Sequence, residues 1–235
     1  MRIFAADTSA KSASVALVEN GVIKGEFFIN TMLTHSETLM PMVDTLFKSV
    51  HIEPKDVDYF AVNSGPGSFT GLRIGIAAVK GMSFALNKPC VSVSTLESMA
   101  YNISADRAVI CAVMDARCSQ VYNALFEVND GKIVRMCEDR ALQIDELTAE
   151  LSECNEKIIL VGDGARLCFD KMSQSLQNLE LANENVLYQR ASSTAFAAEK
   201  LIENGETVTS SQLMPSYLRL PQAQRELLAR KNSAK

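Results

Sequence analysis

The sequence predicts an α/β protein with two lobes of similar plan, each a mixed sheet flanked by helices. Apolar runs of strand length alternate with longer stretches of helical periodicity along most of the 235 residues. A second series of strand, hairpin and helices starts near residue 107. Asp7 ends the first strand of the first series, and Asp115 holds the same place in the second. We therefore predict one lobe at 1–105 and another at 106–235, and two roles stay open for the segment 215–235: packing back on the first lobe, or contact with a partner.

The first lobe is predicted to start with a three-stranded meander at 2–6, 13–19 and 22–29. Asn20-Gly21 lies between the second and third runs, and Asn-Gly between apolar runs is a strong hairpin signal. Thr34 and Glu37 have the spacing of a capping box, so we expect a helix to begin there.

The most informative stretch is the run AVNSGPGSFTGLRIGIAAVKGMSFAL at 61–86. A strand at 59–63 leads into a glycine turn and a long helix that carries only two charges, Arg73 and Lys80. A helix that is apolar nearly all round must be covered on more than one side. We therefore expect its own sheet on one side, and a second helix or a second chain on the other.

Three glycines in this stretch, Gly67, Gly71 and Gly75, are four residues apart and so share one helix face. Interior glycine costs a helix about 0.5–1 kcal/mol relative to alanine, so the pattern predicts that another backbone comes close. Tight packing against the chain's own sheet explains any one of these glycines equally well.

The remaining elements follow the same alternation of apolar runs and turn residues. The predicted strands are 90–93, 108–114, 119–128, 131–142 and 157–161. The predicted helices are 95–103, 145–152, 165–175 and 192–203.

Composition excludes several classes of protein. The net charge is −5, so the chain does not have the excess of basic residues that is typical of a stand-alone nucleic-acid-binding protein. The six cysteines contain no Cys-x-x-Cys pair, which is typical of reduced thiols in a cytoplasmic protein. We see no secretory signal, and no uncharged apolar run reaches the ~18 residues of a membrane span. We therefore expect a cytoplasmic protein with no membrane partner.

The residues that could carry chemistry leave two interpretations open. The glycine turn lacks the Gly-Lys-Ser/Thr of a P-loop, and Thr70 replaces the last glycine of a dinucleotide fingerprint. Asp7 and Asp115 could hold Mg²⁺ and phosphate across a cleft, or each could cap its own turn. The chain has only two histidines, His35 and His51, so a zinc site or a Ser/His/Asp triad has too few candidates.

Several motifs together resemble one family. They are Asp7-Thr8-Ser9, His35-Ser36-Glu37, the run at 61–75, the run at 93–97, Met114-Asp115-Ala116-Arg117, and the run from Pro215 to Ala223. In this order they closely resemble the TsaB (YeaZ) family, bacterial subunits needed to form N6-threonylcarbamoyladenosine in tRNA. The resemblance spans nearly the whole chain.

The resemblance implies a two-lobed fold of the actin/Hsp70-like superfamily. It also implies a non-catalytic subunit that docks helix to helix on the catalytic paralogue TsaD, with the ATPase TsaE joining the complex and tRNA bound mainly through it. The same helical face is expected to support a homodimer. Catalytic relatives carry two metal-binding histidines where this chain has Thr95 and Met99, so the resemblance implies no metal and no catalytic residues.

These arguments give two predicted sets of residues. The predicted partner interface is Leu39, Met42, Val43, Leu46, Phe47, Leu72, Gly75, Val79 and Met82. The predicted vestigial nucleotide cleft, for which weak binding of ATP or ADP stays open, is Asp7, Thr8, Ser9, Gly65, Gly67 and Asp115. The alternative functions are a glycoprotease-like metallopeptidase and a nucleotide-binding kinase or ATPase of the same fold.

Overall fold

The computed structural model describes residues 1–31 and 33–219, and it contains two mixed sheets flanked by helices, as predicted. The strands are β1 (Arg2–Asp7), β2 (Ala13–Glu19), β3 (Val22–Ile29), β4 (Tyr59–Gly65), β5 (Cys90–Ser94), β6 (Arg107–Asp115), β7 (Gln120–Asn129), β8 (Lys132–Arg135), β9 (Arg140–Gln143), β10 (Ile158–Val161) and β11 (Leu179–Leu181). The helices are α1 (His35–Val50), α2 (Phe69–Leu86), α3 (Thr95–Ala100), α4 (Ile144–Leu151), α5 (Ala165–Met172), α6 (Glu184–Leu187) and α7 (Ala191–Glu203).

The first sheet has the order β3-β2-β1-β4-β5 and is covered on both faces. The β1–β2 and β2–β3 pairs are antiparallel, whereas β1–β4 and β4–β5 are parallel. Alternate side chains of β1 enter different cores, because successive residues of a strand point to opposite faces. Phe4 packs with α1 and α2 and stacks on Phe47 at 5.5 Å, while Ile3 and Ala5 pack with α7.

The second sheet has the order β11-β10-β6-β7-β8, with β9 also paired to β7. The prediction of one strand at 131–142 is wrong, because the segment forms two strands on different parts of β7. Arg135 spans the break between them: it binds Asp139 at 2.7 Å and lies 4.8 Å from the ring centroid of Phe126.

Two helices cross the predicted lobe boundary. Helix α7 belongs to the predicted second lobe, yet its alanines pack on β1, β2 and β4 of the first sheet. Helix α3 precedes residue 105, yet Leu96 and Met99 lie in the core of the second sheet. Residue 105 lies between β5 of the first sheet and β6 of the second, and α3 and α7 each pack on the sheet across that boundary.

One carboxylate fixes α7 in this position. Glu26 of β3 accepts hydrogen bonds from the Ser192 backbone nitrogen at 3.0 Å and from its hydroxyl at 2.9 Å. The second oxygen of Glu26 binds the Arg190 guanidinium at 2.6 Å. The side chain of Glu26 is 9% exposed, so this pair caps the helix from a nearly buried position.

The last described residues, 208–219, run back along the first lobe, and we call them the strap. Val208 forms a β-bridge with Cys90, and Leu213 is buried in the core under α2. The Ser216 backbone nitrogen donates to the Ser64 carbonyl at 2.8 Å. Residues 220–235, which include Pro221–Ala223 and the basic tail, lie outside the described residues.

Candidate functional site

A cavity of about 410 Å³ lies between the two sheets, at the ends of β1, β4, β6 and β10. In open α/β sheets, ligands bind in crevices at the carboxyl ends of strands, so this is the position where a site is expected. The polar and glycine residues that line it include Ser9, Gly67, Asp115, Arg117, Asp163 and Arg219.

Asp7 is not part of this cavity, contrary to the predicted cleft. Its carboxylate is buried and accepts hydrogen bonds from the backbone nitrogen of Ser9 at 2.6 Å and from its hydroxyl at 2.7 Å. The Asn63 amide donates to the other oxygen. Burial raises the pKa of Asp7, and these hydrogen bonds oppose that shift only in part. Asp7 therefore stabilises the turn that follows β1, which is the capping role that the sequence left open for it.

Thr8 is also structural, and it explains the glycine spacing. Its hydroxyl donates to the Gly71 carbonyl at 2.7 Å. A Cβ on Gly71 would overlap the Thr8 carbonyl oxygen, one on Gly75 would overlap the Thr8 hydroxyl, and one on Gly67 would lie 2.5 Å from the Ser9 carbonyl oxygen. The chain's own turn after β1 therefore comes close to all three glycines, with its backbone at Gly67 and Gly71 and with the Thr8 side chain at Gly75.

Gly65 is the third predicted cleft residue that lies outside the cavity. Its φ of +140° favours glycine. A Cβ at this position would overlap the carbonyl oxygen of Ser216 in the strap. The turn is thus covered by the chain's own backbone at Gly65, whereas Pro66, Gly67 and Ser68 line the cavity.

Asp163 is a cavity residue that the sequence reasoning missed. Gly162 and Gly164 flank it, and each packs against the backbone of β6, so Asp163 is brought beside Asp115. Burial and the negative charge of Asp115 raise the pKa of Asp163 to about 6, although Gln189 donates to its carboxylate at 3.3 Å. The signal was present as Gly-Asp-Gly directly after a buried strand.

Basic side chains complete the rim of the cavity. Lys11, Arg117 and Arg219 all line it. Arg117 begins three successive residues with left-handed backbone, at φ values of 68°, 54° and 57° through Ser119. The Asp115 carboxylate accepts from the Arg117 backbone nitrogen at 2.8 Å and so holds the start of this turn.

The predicted partner interface needs correction. Seven of its nine side chains are at most 7% exposed, and they pack between α1, α2 and the first sheet. They are Leu39, Met42, Val43, Leu46, Phe47, Leu72 and Val79. Gly75 is buried as well, and Met82 is partly buried. An amphipathic helix packs its apolar stripe on its own sheet first, so the prediction of an exposed stripe is wrong for these residues.

A different face of the same helices is exposed and apolar. On α2, the side chain of Phe84 is 79% exposed, and Ala77, Gly81 and Ala85 are exposed beside it. A Cβ on Gly81 would meet no atom within 4 Å. On α1, Met40 is 48% exposed at the edge of an apolar groove of about 700 Å³ that Phe47 and Met82 also line. We call Met40, Ala77, Gly81, Phe84 and Ala85 the outer face.

Helix α2 also meets the length and composition criteria of a membrane span, with a mean hydropathy of 1.3 over 18 residues and one third of them buried. A core helix of a globular protein meets the same criteria. Because α2 packs along β4 and α1, we interpret it as a helix of the first lobe with one uncovered face.

The two positions at which the resemblance implies metal-binding histidines in catalytic relatives are inside the core of this chain. Thr95 and Met99 are fully buried, and Met99 packs among the apolar side chains of the second lobe. His35 bonds the carbonyl of Ala10 at 2.8 Å through Nε2 and so supports the turn after β1. Across 1–31 and 33–219, His, Cys, Asp and Glu form no group of three that could hold a metal ion.

The fold and this cavity define a two-lobed protein of the actin/Hsp70-like class. A solved structure of YeaZ from Pseudomonas aeruginosa superposes with a TM-score of 0.79 at 26% identity, covering 92% of this chain and 99% of that one. A dehydratase activator from Clostridium difficile with bound ADPNP shares the fold at a TM-score of 0.53 and 9% identity, covering 88% of this chain and 97% of that one.

The sequence comparisons are more specific. Residues 30–227 match the family model for TsaD, tRNA N6-adenosine threonylcarbamoyltransferase. The Escherichia coli tRNA threonylcarbamoyladenosine biosynthesis protein TsaB is 30% identical over 93% of this chain and 95% of its own length. The Bacillus subtilis TsaB protein is 28% identical over 95% of this chain and 96% of its own. The chain belongs to the TsaB family, within the larger group that the TsaD model describes.

Proposed function

We propose that this chain is a non-catalytic subunit in the biosynthesis of N6-threonylcarbamoyladenosine in tRNA, and that it acts by docking on a TsaD-type catalytic subunit. The observation that carries the proposal is the outer face of α1 and α2. It stays exposed although the buried faces of both helices already complete the core of the first lobe. An exposed apolar row along one helix face is the kind of surface that marks an interaction site.

The shape of the outer face supports a helical partner. Ala77, Gly81 and Ala85 are four residues apart and present little more than backbone on one side of α2. A second helix can approach such a row closely, while Phe84 beside it supplies a large apolar anchor. The groove next to Met40 offers a place for a side chain of the partner.

Three buried residues outside the cavity, Asp7, Thr95 and Met99, support a non-catalytic role. Asp7, which could have served as a cation ligand or a base, already accepts hydrogen bonds from Ser9 and Asn63. Buried Thr95 and Met99 stand where the catalytic relatives have metal-binding histidines. In this proposal the chemistry belongs to the TsaD-type partner, a TsaE-type ATPase joins them, tRNA is bound mainly through the complex, and the outer face also supports a homodimer.

The test is co-expression with the TsaD-type and TsaE-type proteins of the same genome, followed by measurement of threonylcarbamoyladenosine in tRNA. Phe84→Glu places a charge on the outer face without touching the core, so we expect it to abolish co-purification and modification. Val134→Glu is the matched control, since Val134 is 58% exposed on the other lobe. Full modification without this chain, or by the Phe84→Glu variant, would refute the proposal.

A further inference from the structure

Residues 216–219 at the end of the strap contact three parts of the molecule. On the glycine turn, the Ser216 backbone nitrogen donates to Ser64 at 2.8 Å, and the Ser216 carbonyl fills the space that Gly65 leaves by having no side chain. Because a Cβ at this position would overlap that carbonyl, the turn is shaped to receive this segment of the chain.

The second contact is with α2. The ring of Tyr217 stacks on Phe69 with centroids 4.8 Å apart, and Arg73 donates from Nε to the Tyr217 hydroxyl at 2.9 Å. The guanidinium of Arg73 also lies 3.9 Å from the centroid of the Phe69 ring. Arg73 thus makes a cation–π contact with Phe69 and a hydrogen bond to Tyr217, and these contacts join the strap to the first turns of α2.

The third contact reaches the second lobe. Arg219 donates from a terminal guanidinium nitrogen to the Ala116 carbonyl at 3.0 Å. Ala116 directly precedes the left-handed turn at Arg117, and both residues line the cavity. Tyr217 and Arg219 line it too, so the strap spans the opening between the two lobes.

Arg73 connects this strap to the outer face. It lies four residues before Ala77 and eight before Gly81, so it continues the same exposed row on α2. The Arg73 side chain is bonded to Tyr217 at 2.9 Å, so the residue that continues this row also holds the strap.

We propose that the strap is a latch that couples docking on the outer face to closure of the cavity between the lobes. A docked partner stabilises Arg73 on Tyr217, and the strap then holds Ala116 through Arg219. Coupling between two binding events is reciprocal, so loss of the Arg219 contact weakens docking although Arg219 lies away from the outer face. This inference rests on the docking proposed above.

The test is hydrogen exchange of the wild-type chain with and without saturating TsaD-type subunit. The amides of Ala116 and Gln120 are bonded within the turn, at 3.0 and 3.1 Å, and report on it directly. We expect docking to slow their exchange by about fivefold or more in the wild type. We expect no such slowing in Arg219→Ala, nor in Tyr217→Phe, which keeps the stacked ring and removes only the hydroxyl that binds Arg73.

The same two variants are measured for docking affinity, after circular dichroism has shown that they fold. A weaker affinity for Arg219→Ala supports the latch. Unchanged exchange at Ala116 and Gln120 in a wild-type complex that does form would overturn it while leaving the proposed function intact. If the wild-type chain forms no complex at all, the proposed function fails, and the latch fails with it.

Discussion

Thr8 and Gly71 are in direct contact, and the space between them is too small for a side chain on Gly71. The Thr8 hydroxyl donates to the Gly71 carbonyl at 2.7 Å, and a Cβ on Gly71 would overlap the Thr8 carbonyl oxygen. This contact seats the first turn of α2 against the end of β1. The position of α2, and with it the direction of the outer face, therefore depends on the turn after the first strand.

Substitution by alanine is expected to have opposite effects on stability at Gly81 and at Gly75 of α2. Gly81→Ala should stabilise the chain by about 0.5–1 kcal/mol, because its Cβ meets open space and alanine is the better helix former. Gly75→Ala should destabilise it, because the new Cβ would overlap the Thr8 hydroxyl. Urea denaturation of both variants measures the difference. Equal effects of the same sign would contradict this division.

Asp163 predicts a pH dependence of stability. Its pKa is about 6 in the folded chain and near 3.8 when unfolded, so between these values the folded state binds more protons. Asp163 therefore contributes to the stability of the folded state below about pH 4, and this contribution is lost as the pH rises through about 6. Asp163→Asn should be more stable than the wild type at pH 7, with the difference vanishing near pH 4. A constant difference across this range would show that Asp163 is ionised throughout.

The Glu26–Arg190 pair should matter far more than an exposed pair. Glu26→Ala removes the N-terminal cap of α7 and leaves Arg190 without its carboxylate, so we expect a loss of about 2–4 kcal/mol, between the values of exposed and fully buried pairs. Lys200–Glu203 on the same helix is the control, because both side chains are more than half exposed. Glu203→Ala should cost about 0.5 kcal/mol or less. Thermal unfolding of the two variants gives the comparison.

The purified chain is expected to carry no stoichiometric zinc or iron. The reason is chemical: the two positions that hold histidines in catalytic relatives are a hydroxyl and a thioether, both buried. Elemental analysis of protein purified without chelators measures this directly. One bound metal per chain would instead revive the metallopeptidase interpretation.

Local patterns predicted most of the strands and helices. The Asn20-Gly21 hairpin, the helix after Thr34 and the long helix after Ser68 all occur within a residue or two of the expected bounds. These features depend on neighbours in the sequence, such as turn geometry and caps, and so are visible there. The three-residue strand β11 and the four-residue helix α6 are too short to show any periodicity, and the sequence did not predict them.

Which surface each apolar helix face packs against was harder to predict. The stripe through Leu39 and Leu46 has the same sequence pattern whether it packs on its own sheet or on another protein. The sequence therefore indicated two apolar helices correctly, but the side chains that it assigned to a partner interface are buried within the first lobe. In the cavity, Asp115 was expected and Asp163 was not. The two carboxylates are far apart in the sequence, and only the pairing of β6 with β10 brings them together.

The placement of α7 bears on how the chain matures during translation. The β-meander, β4 and β5 are complete by Ser94, yet the face of that sheet formed by Ile3, Ala5 and Ala16 waits for alanines made about a hundred residues later. Until then a nascent chain leaving the ribosome carries a half-covered sheet, the kind of surface that chaperones bind. Fragments that stop before Ala191 should consequently aggregate, even though they contain every strand of the first lobe.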